Sequence, residues 1–133
     1  MANEAVIIEL INGGVPISYT CLDANGIAKG TILEMSGDRT VIANTNANTA
    51  LVGIAAAEKV ALDGTTTIQA YTNGIFGILT TAGAKVAGVL LAGSATENTL
   101  EAAAGEDLLN CSYLGNLMEN SAGGVVSVVR VLK

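Results

Sequence analysis

The chain has 133 residues, half of them apolar but only 3% aromatic, and a formal net charge of −6 with six Lys and Arg and no His. So few cations cannot form a basic patch that neutralises phosphates, which excludes nucleic acid and disfavours anionic membrane surfaces as partners. Without His, and with two Cys, there is almost no material for a zinc site and no usual base for a nucleophilic triad.

This length predicts one domain, or two small halves sharing a core. With so few rings, that core is expected to be Val, Ile, Leu and Ala. The 16 Gly and single Pro predict short strands joined by tight turns. Only 14% of residues are charged, against a typical quarter. An apolar chain with so few charges is expected to cover part of its surface with partners.

Residues 5–11 (AVIIELI) form an apolar run interrupted by Glu9, and Asn12-Gly13-Gly14 is a turn. Residues 15–22 alternate weakly and carry Pro16, which a sheet tolerates at an edge or a strand start. The expectation is therefore an N-terminal arm or edge strand over 1–22 and a single β-domain over 23–133. The first cation is Lys29, so no charged n-region of a secretory leader is expected.

Residues 23–26 (DANG) make a turn, 30–35 and 39–43 a hairpin, and the Asn-rich stretch 44–49 a loop. Residues 51–74 read as a buried strand, a turn carrying the charges and a second, alternating strand. Residues 75–80 and 85–92 continue as strands. The stretch 74–93 is long enough to test as a membrane span, but Lys85 and five glycines break it. Residues 97–109 are the best helix candidate despite Gly105, and 125–132 close the chain as a strand. The fold class expected is all-β: a small barrel or sandwich of about eight to ten strands, with at most one short helix near 97–109.

The second half repeats the first loosely. Val52-Gly53 and Leu114-Gly115 each precede a Glu, a Gly turn and a Val/Ile/Thr-rich run, and residues 85–92 resemble 29–33. Pairing Gly30 with Gly88 and Gly53 with Gly115 gives a degenerate duplication of about sixty residues.

No residue looks chemically armed, and an enzyme is not expected. Lys29, Lys59 and Lys85 offer bases only for a rarer Ser–Lys arrangement, and no motif marks one. Glu106-Asp107 reads as a solvated face. The stretch 83–88 (GAKVAG) lacks the spacing of a phosphate loop, and 23–26 has too few ligands for calcium. No cofactor or metal is expected. Cys21 and Cys111 read as two reduced, buried small hydrophobes. Glu58-Lys59-Val60 faintly resembles the lysine hairpin of lipoyl or biotin carrier domains, but a surface lysine on a turn is the plainer reading.

The order of residues 30–33 (GTIL), 51–55 (LVGIA), 66–74 (TTIQAYTNG) and 114–128 (LGNLMENSAGGVVSV) resembles phage head-decoration, or capsid cement, proteins. The Asn-rich loop 44–49 and the long stretch 92–110 depart from that pattern. The resemblance implies a homotrimer on the capsid exterior, made in the host cytoplasm, that binds the major capsid protein and bridges its subunits against internal pressure. Asn3, Glu4, Val6, Ile8 and Leu10, in the apolar N-terminal stretch outside the family-like core, are the expected capsid contacts. A strand completing the protein's own barrel is a nearly equal reading of that stretch. A tail or fibre component is the closest rival for the whole chain.

Overall fold

A computed structural model describes residues 3–133. Among these there are thirteen strands and one short α-helix, and ten of the strands form two five-stranded β-barrels in tandem. The first barrel contains β2 (Ile17–Thr20), β3 (Ile32–Gly37), β4 (Thr40–Ala43), β5 (Leu51–Ala55) and β6 (Thr67–Tyr71), closed in the order β2-β4-β3-β5-β6. The second contains β7 (Asn73–Thr80), β9 (Leu90–Gly93), β10 (Thr99–Ala102), β11 (Tyr113–Leu117) and β13 (Val126–Leu132), and β13 pairs back onto β7 to close it. β8 (Ala82–Lys85) and β12 (Ser121–Gly123) form a small ribbon, and β1 (Val6–Leu10) adds to the edge of β7. No helix among the described residues is long and apolar enough to cross a membrane.

The all-β expectation holds, with three adjustments. The helix is confined to α1 (Gly105–Leu109), because residues 99–102 instead fill the sheet between β7 and β9. The strand expected over 85–92 divides at a turn where Gly88 has φ +95°. The stretch 1–22 is not one arm: β1 is an edge strand, whereas β2 is built into the first barrel. Met1 and Ala2, at its start, lie outside the described residues.

The duplication is visible bond by bond. β2 pairs β4 in parallel and β6 antiparallel, and β7 pairs β10 in parallel and β13 antiparallel. Gly30 N–H donates to Ala55 O and Gly88 N–H to Leu117 O, and both glycines have φ above +90°. Ala55 N–H donates to Thr31 O as Leu117 N–H does to Val89 O. Cys21 N–H donates to Thr66 O as Thr80 N–H does to Val125 O. Glycine is required where a strand presses on its neighbour: a Cβ at Gly53 would fall well inside contact distance of Tyr71 O, and one at Gly115 of Arg130 O. Tyr71 and Arg130 occupy the same place in the two copies.

The copies stack asymmetrically. In the first barrel β3, β5 and β6 place Ile32, Ile54 and Tyr71 in one outward row. The same row of the second barrel is Leu90, Asn116 and Arg130. Ile32 and Ile54 are buried with Leu51 in a single cluster with Phe76, Ile78, Leu91, Leu100, Leu114, Leu117, Val129 and Val131 of the second barrel. The apolar row is thus covered by the second barrel, while its polar counterpart carries exposed Asn116. Each fully buried aliphatic side chain in this contact contributes roughly 1.5–3 kcal/mol. Cys21, Ile27, Leu33, Val41, Val52, Ala55, Ile68 and Ala70 fill the interior of the first barrel.

Gly53→Ala and Gly115→Ala should each cost about 3 kcal/mol or more in urea unfolding, because backbone has to move. Gly105→Ala, where a Cβ meets nothing, should be neutral or slightly stabilising. Ile54→Ala should cost about 2–5 kcal/mol. Asn116→Ala, at the matching position, should stay within about 0.5 kcal/mol.

Candidate functional site

The two buried lysines are the strongest local electrostatic features. Lys59 is 3% exposed. Its Nζ donates to Asp23 O and Val60 O at 2.9 Å and pairs with Asp63 Oδ1 at 3.2 Å and Asp23 Oδ1 at 3.5 Å. Lys85 is also buried, and its Nζ donates to Thr81 O at 2.7 Å and Gly83 O at 3.0 Å. Ile27 faces Lys59 across the first barrel's corner as Lys85 faces Ser121 across the second's. The two lysines therefore come from opposite strands of equivalent pairs.

Both ammonium groups are thus buried and engaged by nearby oxygens. Burial pulls the Lys59 ammonium down, but the hydrogen bonds and charges of Asp63 and Asp23 more than offset it, so its pKa lies above the ordinary value. The hydroxyl and N–H of Thr65, with Lys59, hold the Asp63 carboxyl well below the usual carboxylate range. Lys59 is not the surface lysine on a turn that the sequence predicts, and its ammonium is not presented for a swinging cofactor. Lys85 donates to carbonyls, not to a serine hydroxyl.

Glu34 is a buried carboxylate. Its oxygens accept from Asn44 Nδ2 at 2.6 Å, Asn46 Nδ2 at 3.0 Å and Thr45 N–H at 3.3 Å. The Asn-rich loop thus folds over Glu34 instead of standing free. Asp107 is also buried, against the expected solvated face. Its Oδ2 accepts from Ala104 N–H and its Oδ1 from Ser112 Oγ, both at 2.6 Å, fixing the start of α1. Among the described residues no group of three His, Cys, Asp or Glu converges as a metal site.

The cysteines differ from each other. Cys21 is buried, and burial pushes its thiol up, whereas Cys111 is exposed, and both are free. Cys111 therefore departs from the expected pair of buried hydrophobes. A hollow of about 380 Å³ lies open between Leu22, Asn25, Ile27, Val41, Thr45 and Glu97. Glu97 is the one charged side chain lining it.

The N-terminal candidates divide by exposure. Asn3 is exposed, Val6 is 62% exposed and Ile8 53%. Glu4 is half-buried beside Gly30, and Leu10 packs on the core of the second barrel. β1 pairs with β7 along one edge and, among the described residues, with no strand along the other. Val6, Gly77 and Val128 share one outward row, and exposed Val126 lies against Gly77. Sequence reading missed Val126 and Val125, which extend the apolar surface of β1 across the sheet. Their signal was present: an apolar run in which only alternate residues can face inward.

No protein-family model matches the chain, and no curated protein does.

Because the folded pKa of Asp63 is depressed, its contribution to stability is present above the unfolded carboxylate value of about 3.9 and fades as pH falls below it. Urea melts at about pH 7 and about pH 3 should show wild type losing stability in acid, and Asp63→Asn should lose less over the same interval. Lys59→Met leaves Asp23 and Asp63 facing each other unpaired and should lower Tm by roughly 5 °C or more at neutral pH.

Proposed function

We propose that this protein is a structural virion component of the head-decoration type, which binds the outside of a phage capsid and bridges its major subunits. The observation that carries the reading is β1: an apolar strand with one edge unpaired among the described residues, mounted on a double barrel. A free strand edge recruits an extended partner segment through main-chain hydrogen bonds, and exposed alternate side chains add selectivity. The apolar outer row at Val6, Val126 and Val128 gives such a partner a surface to cover. The acidic balance of the chain suits a position outside the shell, away from packaged nucleic acid. The proposed assembly is a homotrimer, whose contacts reinforce one another once the first has formed.

The test is sedimentation of the purified protein with expanded, DNA-free heads of the phage that encodes it. Saturable decoration at fixed stoichiometry is expected. Absence of binding, with the protein found instead in isolated tails, assigns it to a tail or fibre. The variant Val6→Asp/Ile8→Asp should weaken head binding about ten-fold or more while Tm stays within a few degrees, since both side chains point into solvent. Equal loss of binding and stability would mean that β1 serves chiefly to complete its own barrel.

A further inference from the structure

The protein satisfies its fully buried carboxylates itself, Glu34 with Asn44, Asn46 and Thr45, and Asp107 with Ala104 and Ser112. Glu97 is different. It is half-buried, and among the described residues its carboxylate makes no hydrogen bond or ion pair. It is the one charge in the open hollow of about 380 Å³, whose other walls are mostly apolar and include Leu22, Ala24, Ile42 and Ala43.

The loop that carries Glu97 is tied down. Ser94 Oγ donates to Thr99 O at 2.8 Å, and Thr99 Oγ1 to Glu97 O at 3.1 Å. Next in sequence, Asn98 has φ +54°, and its Oδ1 accepts from Ile32 N–H of the first barrel at 2.9 Å. Glu97 thus comes from the β9–β10 connection of the second barrel and is held against β4 of the first. The hollow forms where the two barrels meet, a common place for binding sites.

We propose that this hollow receives a lysine or arginine side chain of the shell, with Glu97 pairing its cation and the apolar wall lying along its aliphatic stem. A carboxylate in partly desolvated surroundings attracts a cation more strongly than one in open water. A basic side chain also brings the hydrocarbon stem that such a wall covers. Asn25 and Thr45, exposed at the rim, offer further oxygens to the cation's N–H groups. Leu22 is 53% exposed and Leu62 76%, and Leu62 N–H donates to Asp23 O beside the hollow. A free amine is too small to cover both leucines, whereas a protein surface can. A second copy fits poorly. Its exposed cations among the described residues are Arg39, whose guanidinium caps Ser18 O, and Lys29, two residues after Ile27 of the hollow wall. Entry of Lys29 would pair copies mutually, two by two and not in threes.

The inference rests on the proposed function for the identity of the partner and adds a second contact to it. β1 offers a surface on the second barrel, and the hollow offers one beside the first, so one molecule can hold two shell subunits.

The test uses the full chain. In NMR titrations, n-butylammonium and n-butylguanidinium should shift the amides of Ala24, Asn25 and Glu97 in wild type but not in Glu97→Gln, and uncharged n-butanol should shift them in neither. The tighter of the two cations distinguishes lysine from arginine. In sedimentation with expanded, DNA-free heads, Glu97→Gln should lower affinity about ten-fold at low salt. Ala24→Trp, which fills the hollow from an exposed position, should do the same. Neither should lower Tm, since the Glu97 carboxylate and the Ala24 side chain hold nothing in the fold. Amides unmoved by either cation, or heads decorated equally by wild type and both variants, would overturn this inference and leave the shell reading standing on β1. No decoration by wild type removes the shell reading and this partner together. An oligomer of the isolated chain that dissociates in both Glu97→Gln and Lys29→Ala would assign the hollow to a second copy and likewise overturn it.

Discussion

The second barrel has no finished core without the first. Ile32, Leu51 and Ile54 point out of the first barrel, yet they belong to the same buried cluster as Phe76, Leu91 and Leu114 inside the second. Tyr71 extends the contact to the ring of Phe76, with centroids 6.0 Å apart. Hydrogen bonds follow the same boundary: Ile32 N–H donates to Asn98 Oδ1 and Leu51 N–H to Cys111 O. Two halves that share one apolar cluster are expected to unfold together, because separating them exposes aliphatic surface on both.

That dependence explains why a duplicated sequence has so few identities left. Equivalent positions have unequal surroundings, and each has drifted to suit its own. Ile54 is covered and aliphatic, while Asn116, at the matching place, is exposed and amide. Phe76 is roofed by β1 and large, while Ile17 is unroofed and smaller. What the copies keep is what backbone geometry dictates in both. Gly30 and Gly88 retain the left-handed conformation, and Gly53 and Gly115 retain the close approach to the next strand.

Those invariants are what the sequence reading could detect. The glycine spacing, the Val/Ile/Thr runs and the turn residues exposed the all-β class and the duplication, whereas the helix expected over 97–109 forms only at Gly105–Leu109. The division into two closed barrels was not legible, because closure depends on which edges meet at long range. The parallel contacts of β2 with β4 and β7 with β10 rest on one and two residue pairs. No local pattern marks so brief a contact. The buried charges were missed for a related reason. Lys59 and Asp107 sit in polar, turn-like stretches, and their burial comes from carbonyls and hydroxyls supplied by segments distant in the chain or around a bend.

The same charges bear on what the molecule is for. A lysine held by backbone carbonyls and a carboxylate, or a carboxylate held by amides, is costly to build and is inert once built. Here such groups hold turns and pin loops. Exposed aliphatic side chains line β1, the flank of β13 and the edge of β2, and occur also at Leu62, Val86 and Leu109. Soluble folds protect free edges unless pairing is wanted. This one protects β2 in part, through Pro16 and Arg39, and leaves β1 as a run of five residues with Glu9 as its single charge. Unequal protection of two edges favours partners that come in a fixed order over indiscriminate self-pairing.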